Sequence, residues 1–361
     1  MLPFYPLKRI NNSFEPELSN AILEVAQSGW YLRGERTAKF EREFADYCGV
    51  KNCVGVANGL DALTLIFAAY KILGKLKDGD KVCVPANTYI ASILAISRNN
   101  LEVVLCEPNE KTFNLNLELL TDRTRLTPAP KAILSVNLYG RKASDEVMLK
   151  FAKENNILLI EDCAQSAGIK PVGDAAAFSF YPSKNLGALG DAGAVVSNDE
   201  ELTKLIRELG NYGSKEKYIN NYLGVNSRID ELQAAVLSLK LPRLNADNEK
   251  RRKIAYRYIN EIKNQHIILP IAPENPQDCV WHQFVIRTKE RNCLQTYLTE
   301  KGIETLIHYP IPPHKQKAYG THSLAQTSLP ITEKLADEVL SLPIHPAMTE
   351  NEIERVIGLL G

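Results

Sequence analysis

Short apolar runs alternate with helix-patterned segments through the first two hundred residues. No other feature restricts the fold so strongly. Val54-Gly55-Val56, Val82-Cys83-Val84, Val103-Val104-Leu105, Ala132-Ile133-Leu134, Ile157-Leu158-Leu159-Ile160, Ala176-Ala177-Phe178-Ser179-Phe180 and residues 194–197 read as strands. A run such as Ile157–Ile160 has no polar alternation, which marks a strand buried on both faces. Strands separated by helices predict an α/β fold with a mostly parallel sheet of about seven strands, joined by crossovers. In such sheets ligands bind beyond the carboxyl ends of the strands. No GxGxxG follows any of these runs, so a dinucleotide-binding reading has little support.

The chain has 361 residues, more than one small core organises, so two domains are expected. Apolar spacing predicts helices over residues 14–27 and 36–47, the second capped by Gly49, and over residues 201–210. Residues 215–221 read as an exposed loop. Ile229, Leu232, Val236 and Leu239 define a further helix that Pro242 should bend or break, and another runs over about 245–262. The division is therefore placed as 1–243 and 244–361. The second part is α+β, with strands at 284–287 and 305–308 and a last helix, Glu350–Leu360, after the N-cap Thr349.

Lys plus Arg equals Asp plus Glu at 43 each, which removes any bulk attraction to nucleic acid or to an acidic membrane. Apolar runs fall far short of the ~20 residues that span a bilayer. MLPFYPLKRI lacks a signal-peptide layout. The seven cysteines form no CxxC pair and suggest buried free thiols in a reducing cytoplasm. No metal-ligating pattern is expected.

Chemistry concentrates between Ile157 and Ala194. Asp162 follows the buried run Ile157–Ile160, and a carboxylate there is costly unless it meets a positive charge. Lys184 follows the turn Tyr181-Pro182-Ser183 into a small-residue loop, where desolvation lowers the pKa of its amine. A lone lysine is ordinarily a surface residue; it is this position that singles it out. Near the first strand, Asn58 is a good N-cap for a helix running to about Ile72. Gly59 allows close approach to the backbone, and the free N–H groups of a helix start suit a phosphate. By itself such a junction is more often only a connection.

The segments Glu161-Asp162-Cys163-Ala164-Gln165 and Phe178-Ser179-Phe180-Tyr181-Pro182-Ser183-Lys184-Asn185-Leu186 resemble the DegT–StrS family of pyridoxal-phosphate-dependent nucleotide-sugar aminotransferases. The similarity extends from about Trp30 to Val356 and includes SGWYLRG…FEREFADYCG. It implies an aspartate-aminotransferase-like (fold type I) architecture with pyridoxal 5'-phosphate as cofactor. Lys184 would bind the cofactor covalently and then move protons, and Asp162 would face the pyridine nitrogen. Gln165 can donate to the ring hydroxyl oxygen. Gly59, Leu60 and Asp61 match the family's phosphate cradle, Ser179 its phosphate-binding serine, and Tyr89 the aromatic stacked on the ring. Asn226 matches a residue that reaches the phosphate from the neighbouring subunit, which implies a homodimer with shared sites. Tyr181, His308 and Tyr309 match positions near the sugar.

Three departures stand out. Asn58-Gly59-Leu60 replaces the usual Ser-Gly-Thr, the stretch between Gly168 and Gly173 is short, and Ala192 stands where glycine is common. The likeness is greatest to members that aminate C-3 of dTDP-3-oxo-6-deoxyhexoses, with L-glutamate as the expected donor. Amination at C-4 of UDP- or dTDP-4-keto sugars is the rival reading. Related dehydratases carry histidine in place of the lysine, so Lys184 argues against that class. A regulator that keeps the fold for sensing is the non-enzyme alternative.

Overall fold

The computed structural model describes residues 1–115 and 129–361. Seven strands form one sheet: β1 Asn52–Val56, β2 Lys81–Pro85, β3 Glu102–Cys106, β4 Ala132–Val136, β5 Leu158–Asp162, β6 Ala175–Ser179 and β7 Gly193–Ser197. Their order is β1-β7-β6-β5-β4-β2-β3. Only β7 runs against the rest, pairing antiparallel with β1 and β6. The pairs β2–β3, β2–β4, β4–β5 and β5–β6 are parallel. All strands but β7 therefore end along one edge. The register places Val136 beside Asp162 and Asp162 beside Ala177.

The strands are apolar because helices cover both faces. The helix Gly59–Ile72 buries Ala62, Leu63, Leu65, Ile66, Phe67, Ala69 and Tyr70 and packs on β6 and β7. On the other face, Phe40 and Phe44 of the helix Glu35–Cys48 meet Phe178 and Phe180 edge-on. Ring centroids stand 5.0 Å apart for Phe44–Phe178 and 5.4 Å for Phe40–Phe180. Such pairs add about 0.5–1.5 kcal/mol each beyond area burial. They clamp the strand end from which the Tyr181–Lys184 turn departs.

The helix Glu231–Lys240 ends where Pro242 enters. A 3-10 turn, Leu241–Arg243, joins it to the helix Leu244–Glu261. Farther on, Phe284–Arg287 (β10) and Val339–Leu342 (β11) pair antiparallel. They share a core with Ile254, Tyr258, Leu298, Val356 and the N-terminal Leu2. The closing helix Glu350–Leu360 starts in a capping box of Thr349 and Glu352.

Several segments depart from the sequence-based expectation. Residues 305–308 are not a strand; Leu306 forms only an isolated bridge to Ser341, and β11 takes the place beside β10. Overlapping 215–221 is a small antiparallel pair, β8 Ser214–Glu216 and β9 Ile219–Asn220. The first long helix starts at Glu17, directly after Pro16 at its N-cap, and a shorter helix, Leu7–Asn12, precedes it. All seven cysteines are free, and all but Cys293 are buried. Among the described residues, no helix is long and apolar enough to cross a membrane.

Candidate active site

The strand ends open on a cavity of about 490 Å³. Each contributing strand supplies residues at or just beyond its last position: Asn58, Gly59 and Leu60 after β1, Thr88 and Tyr89 after β2, Leu138 after β4, Asp162 and Gln165 at the end of β5. Ser179, Tyr181 and Lys184 come from β6 and its turn, and His282, Gln283, His308 and Tyr309 close the far side. The sheet order thus gathers residues from Asn58 to Lys184, 126 positions apart.

Asp162 is 7% exposed, and the donors it has are neutral. Ser92 Oγ donates to its Oδ2 at 2.8 Å, and the Ala164 N–H donates to Oδ1 at 3.1 Å. Because the Ser92 proton goes to the carboxylate, the Thr88 hydroxyl is the donor in the 2.9 Å Thr88–Ser92 contact. Burial raises the Asp162 pKa above the ordinary value; the two donors and the nearby Lys184 oppose that rise. Among the described residues no cation bonds this carboxylate directly, and one that did would favour its charged form.

Lys184 closes its turn through a 2.8 Å backbone hydrogen bond to the Tyr181 carbonyl. The loop returns to the strand when the Ala188 N–H donates to the Phe180 carbonyl at 2.8 Å. Burial lowers the lysine's pKa to about 8, with Asp162 opposing. A substantial share of the amine is therefore neutral, and nucleophilic, near physiological pH.

At the helix start, Asn58 Oδ1 accepts the Asp61 N–H at 2.8 Å. That leaves the N–H groups of Gly59 and Leu60 without an acceptor in the helix, beside the Ser179 hydroxyl. A Cβ on Gly59 would stand 2.8 Å from Ser179 Cβ, so only glycine lets cradle and strand meet. The Asp61 N–H is occupied by the cap, and Asp61 does not line the cavity.

Gln165 bridges two aromatic residues. Its Oε1 accepts the Tyr139 N–H at 2.5 Å, and its Nε2 donates to the Tyr309 hydroxyl at 3.0 Å, keeping one N–H in reserve. The Tyr309 ring leans on Tyr89 with centroids 5.1 Å apart, and Tyr89 is half exposed toward the cavity. Burial raises the Tyr309 pKa, so the phenol keeps its proton. His308 Nδ1 lies 2.7 Å from Ser341 Oγ, and the Tyr139 hydroxyl donates to the His308 carbonyl. Burial, then the charge of Lys184, lowers the His308 pKa to about 4.

Of the residues singled out from sequence, the cavity brings together Lys184, Asp162, Gln165, Ser179, Gly59, Leu60, Tyr89, Tyr181, His308 and Tyr309. Asn226 is exposed and lies outside it, in an isolated bridge with Asn211. The neighbouring Ser227 Oγ accepts the Ala57 N–H at 3.1 Å, just before the cradle. Sequence reading missed Thr88, Ser92, Asp191, His282 and Gln283. A His-Gln pair inside the buried run Val280–Ile286 was the one available signal, since polar side chains rarely enter such a run unpartnered.

A buried carboxylate bonded only by neutral donors, a lysine whose amine is depressed to about 8, and two open helix N–H groups beside a serine hydroxyl fit the three handles of pyridoxal phosphate: ring nitrogen, aldehyde and phosphate. Fold and site together define a pyridoxal-phosphate-dependent aminotransferase of the aspartate-aminotransferase-like architecture. The DegT/DnrJ/EryC1/StrS aminotransferase family model matches residues 12–360, and the chain belongs to that family.

Among its relatives is the dTDP-3-amino-3,6-dideoxy-alpha-D-galactopyranose transaminase of Aneurinibacillus thermoaerophilus, 52% identical over 99% of this chain and 98% of that protein. The dTDP-3-amino-3,4,6-trideoxy-alpha-D-glucose transaminase of Streptomyces venezuelae is 42% identical over 99% and 94%. The crystal structure of S. venezuelae DesV superposes with a TM-score of 0.92 at 41% identity, covering 99% of this chain and 97% of that one.

Proposed function

We propose that this enzyme transfers the amino group of L-glutamate to the keto carbon of a dTDP-linked 3-oxo-6-deoxyhexose, yielding the 3-amino sugar. The observation that carries this reading is the placing of Lys184 and Asp162 on one cavity at the strand-end edge, in a chain 52% identical to a transaminase named for a dTDP-3-amino-3,6-dideoxy sugar.

Bound pyridoxal phosphate supplies an aldehyde and an aromatic ring that takes up the electron pair freed when a substrate C–H bond breaks. The chain does the rest. Lys184 Nζ would hold the cofactor through its aldehyde, and as a free amine would serve as the base and acid that moves the substrate's proton. Asp162 keeps the ring nitrogen protonated. Gly59 and Leu60 N–H groups and Ser179 Oγ would hold the phosphate, the spare Gln165 N–H would serve the ring hydroxyl, and Tyr89 would pack on the ring. Tyr181, His308 and Tyr309 face the sugar.

The working unit in this reading is a homodimer in the cytoplasm, with Asn226 reaching the phosphate in the neighbouring subunit's site. The support is an exposed apolar surface on the segments flanking Asn226. Trp30, Tyr31, Tyr212, Tyr218 and Val225 are each at least half exposed, and Leu223 is entirely so. A patch of this kind marks an interaction surface. The division at 243/244 is part of the same reading, with the 3-10 turn Leu241–Arg243 as the joint between large and small domains.

The test is a panel of 3-keto and 4-keto dTDP and UDP sugars incubated with L-glutamate and purified holoenzyme. Amination of the 3-keto dTDP sugar, read by product mass and proton spectrum, is the expected outcome. Preference for a 4-keto sugar would move the reaction to C-4. A cofactor spectrum unmoved by glutamate would instead favour a sensor. Light scattering of the same preparation should give twice the chain mass, and Leu223→Asp should halve it.

A further inference from the structure

His282 lines the cavity with Lys184 and has no place in the cofactor cradle. Its Nδ1 stands 2.9 Å from Asn185 Oδ1. Which of these two atoms carries the proton is settled by their neighbours. Asn185 Nδ2 lies 3.1 Å from the Val280 carbonyl and 2.7 Å from Asn248 Oδ1. A backbone carbonyl only accepts, so the side of the Asn185 amide facing Val280 must bear the hydrogens. Asn248 fixes the same orientation independently: its Nδ2 donates to the Ala167 carbonyl at 2.9 Å, which turns its Oδ1 toward Asn185. The Asn185 oxygen therefore faces His282, and His282 Nδ1 is the donor.

A neutral imidazole with its proton on Nδ1 presents a bare lone pair at Nε2. That nitrogen has no hydrogen-bond partner among the described residues, and unlike both His345 nitrogens it is not sealed from solvent. The residue as a whole is only 8% exposed, so its accessible edge is the one turned to the cavity. Burial, followed by the charges of Lys184 and Arg251 and by His308, holds the ring well below the usual imidazole range. The lone pair is thus permanent at working pH.

We propose that His282 is a further substrate-binding residue, its Nε2 accepting a hydrogen bond from the sugar hydroxyl next to the carbon that receives the amine. The proposal rests on the function proposed for this site. On a 3-oxo-6-deoxyhexose the flanking hydroxyls are at C-2 and C-4. A hydroxyl satisfies the lone pair, whereas a deoxy carbon or a second carbonyl leaves it unpaired in a buried site, and this makes His282 a specificity determinant.

The test compares wild-type and His282→Phe holoenzymes on the hydroxylated keto sugar and on its 2-deoxy and 4-deoxy analogues, and separately in the glutamate half-reaction. The substitution is expected to lower kcat/KM for the hydroxylated sugar about 10- to 100-fold. Wild type should lose a similar factor on one deoxy analogue, the variant should lose little more on that analogue, and the glutamate half-reaction should stay within about twofold.

Equal losses on every sugar and on glutamate would mean that the ring merely holds Asn185 beside Lys184, and would overturn the proposal. So would no loss at all. If His282→Phe does not fold, the analogues decide on the wild-type enzyme alone: discrimination against one supports the proposal, and equal turnover of all three overturns it. A wild type that aminates no nucleotide-linked keto sugar would overturn the function itself, and this inference with it.

Discussion

Lys240 donates from Nζ to the carbonyl of Gly187 at 2.8 Å, behind the loop that presents Lys184. Its other acceptor is Asn11 Oδ1, also at 2.8 Å, and its ammonium sits 5.5 Å from the centroid of the Phe14 ring. No carboxylate pairs with it among the described residues. Burial, and the like charge of Arg243, lower its pKa to about 8. A buried cation without a counter-ion is destabilising, and what it gains is a fixed Gly187, which ties the lysine loop to the N-terminal arm.

Lys240→Met is therefore expected to uncouple stability from activity. Losing two hydrogen bonds costs about 1–3 kcal/mol, and removing a buried charge offsets much of that. The urea midpoint should move little, while kcat falls about tenfold because Lys184 is less well placed. Denaturation curves and steady-state rates on one preparation make the comparison. A large drop in the midpoint with unchanged kcat per folded molecule would make Lys240 purely structural.

The depressed pKa of Lys184 has a kinetic signature. Only the neutral amine attacks an aldehyde, so capture of pyridoxal phosphate by the apo-protein should accelerate as pH rises through about 8 and then level off. An ordinary lysine would keep accelerating to about 10.4. Stopped-flow absorbance across that range gives the midpoint. Lys184→Ala should show no capture, and a midpoint near 10 would place the amine in bulk solvent.

Asp162 carries the opposite trade. Its folded pKa is raised by burial above the ordinary 3.8, so the folded state holds its proton more tightly than the unfolded chain. Stability falls as pH climbs from the unfolded value through the folded one. Asp162→Asn should leave the apo-protein as stable or more stable at pH 7, while transamination drops about 100-fold or more for want of a charge opposite the ring nitrogen. Calorimetry of the apo forms and turnover of the holo forms test both halves. A variant destabilised as apo-protein would show that the carboxylate is needed for the fold.

Much of this site was legible in the sequence because its signals are local. The run Ile157–Ile160 is apolar because helices bury both faces of β5, and it delivers Asp162 to the strand end. Tyr181-Pro182-Ser183 stops β6 and turns Lys184 into the same space. What sequence hid is pairing over long separations. Thr305–His308 has the composition of a strand, yet β10 takes residues 339–342 as its neighbour, and Leu306 keeps only the bridge to Ser341. For His282 the sequence offered only a polar pair inside an apolar run, because its partner Asn185 lies 97 positions away. Ser92 was overlooked for the same reason; only the β2–β4–β5 order brings its helix over Asp162.

Gly193 tests the cradle from beneath. It opens β7 between Val56 of β1 and Ser179 of β6, and a Cβ there would lie 2.5 Å from the Asn58 carbonyl carbon and 2.9 Å from the Gly59 nitrogen. Both are backbone atoms that no rotamer change can move aside. Gly193→Ala should displace the Gly59 amide, proposed above to hold the phosphate, and weaken cofactor binding at least about tenfold, or 1.4 kcal/mol. The effect should exceed that of Gly59→Ala, whose nearest contact is the Ser179 side chain. Equilibrium titration with pyridoxal phosphate ranks the two, and the reverse order would mean that the cradle does not rest on β7.

Glu231 offers the clearest long-range cap. Its carboxylate, on the first turn of one helix, accepts the N–H groups of Gly34, Arg36 and Thr37 at 2.8–2.9 Å, together with the Thr37 hydroxyl, at the N-terminus of the helix Glu35–Cys48. Burial raises its pKa, but these donors outweigh burial and hold it below 4.5. A lowered carboxylate pKa stabilises the fold above the unfolded value, and that contribution is lost as pH falls through the folded one. Glu231→Ala strands four donors and should cost about 2–4 kcal/mol at pH 7. The gap between wild type and variant should narrow steadily below about pH 4.5. Glu231→Gln, with a single acceptor oxygen, should fall between them with a weaker pH dependence. Urea unfolding at pH 7, 5 and 4 reads all three, and a pH-independent gap would mean that the carboxylate's charge does not serve the helix.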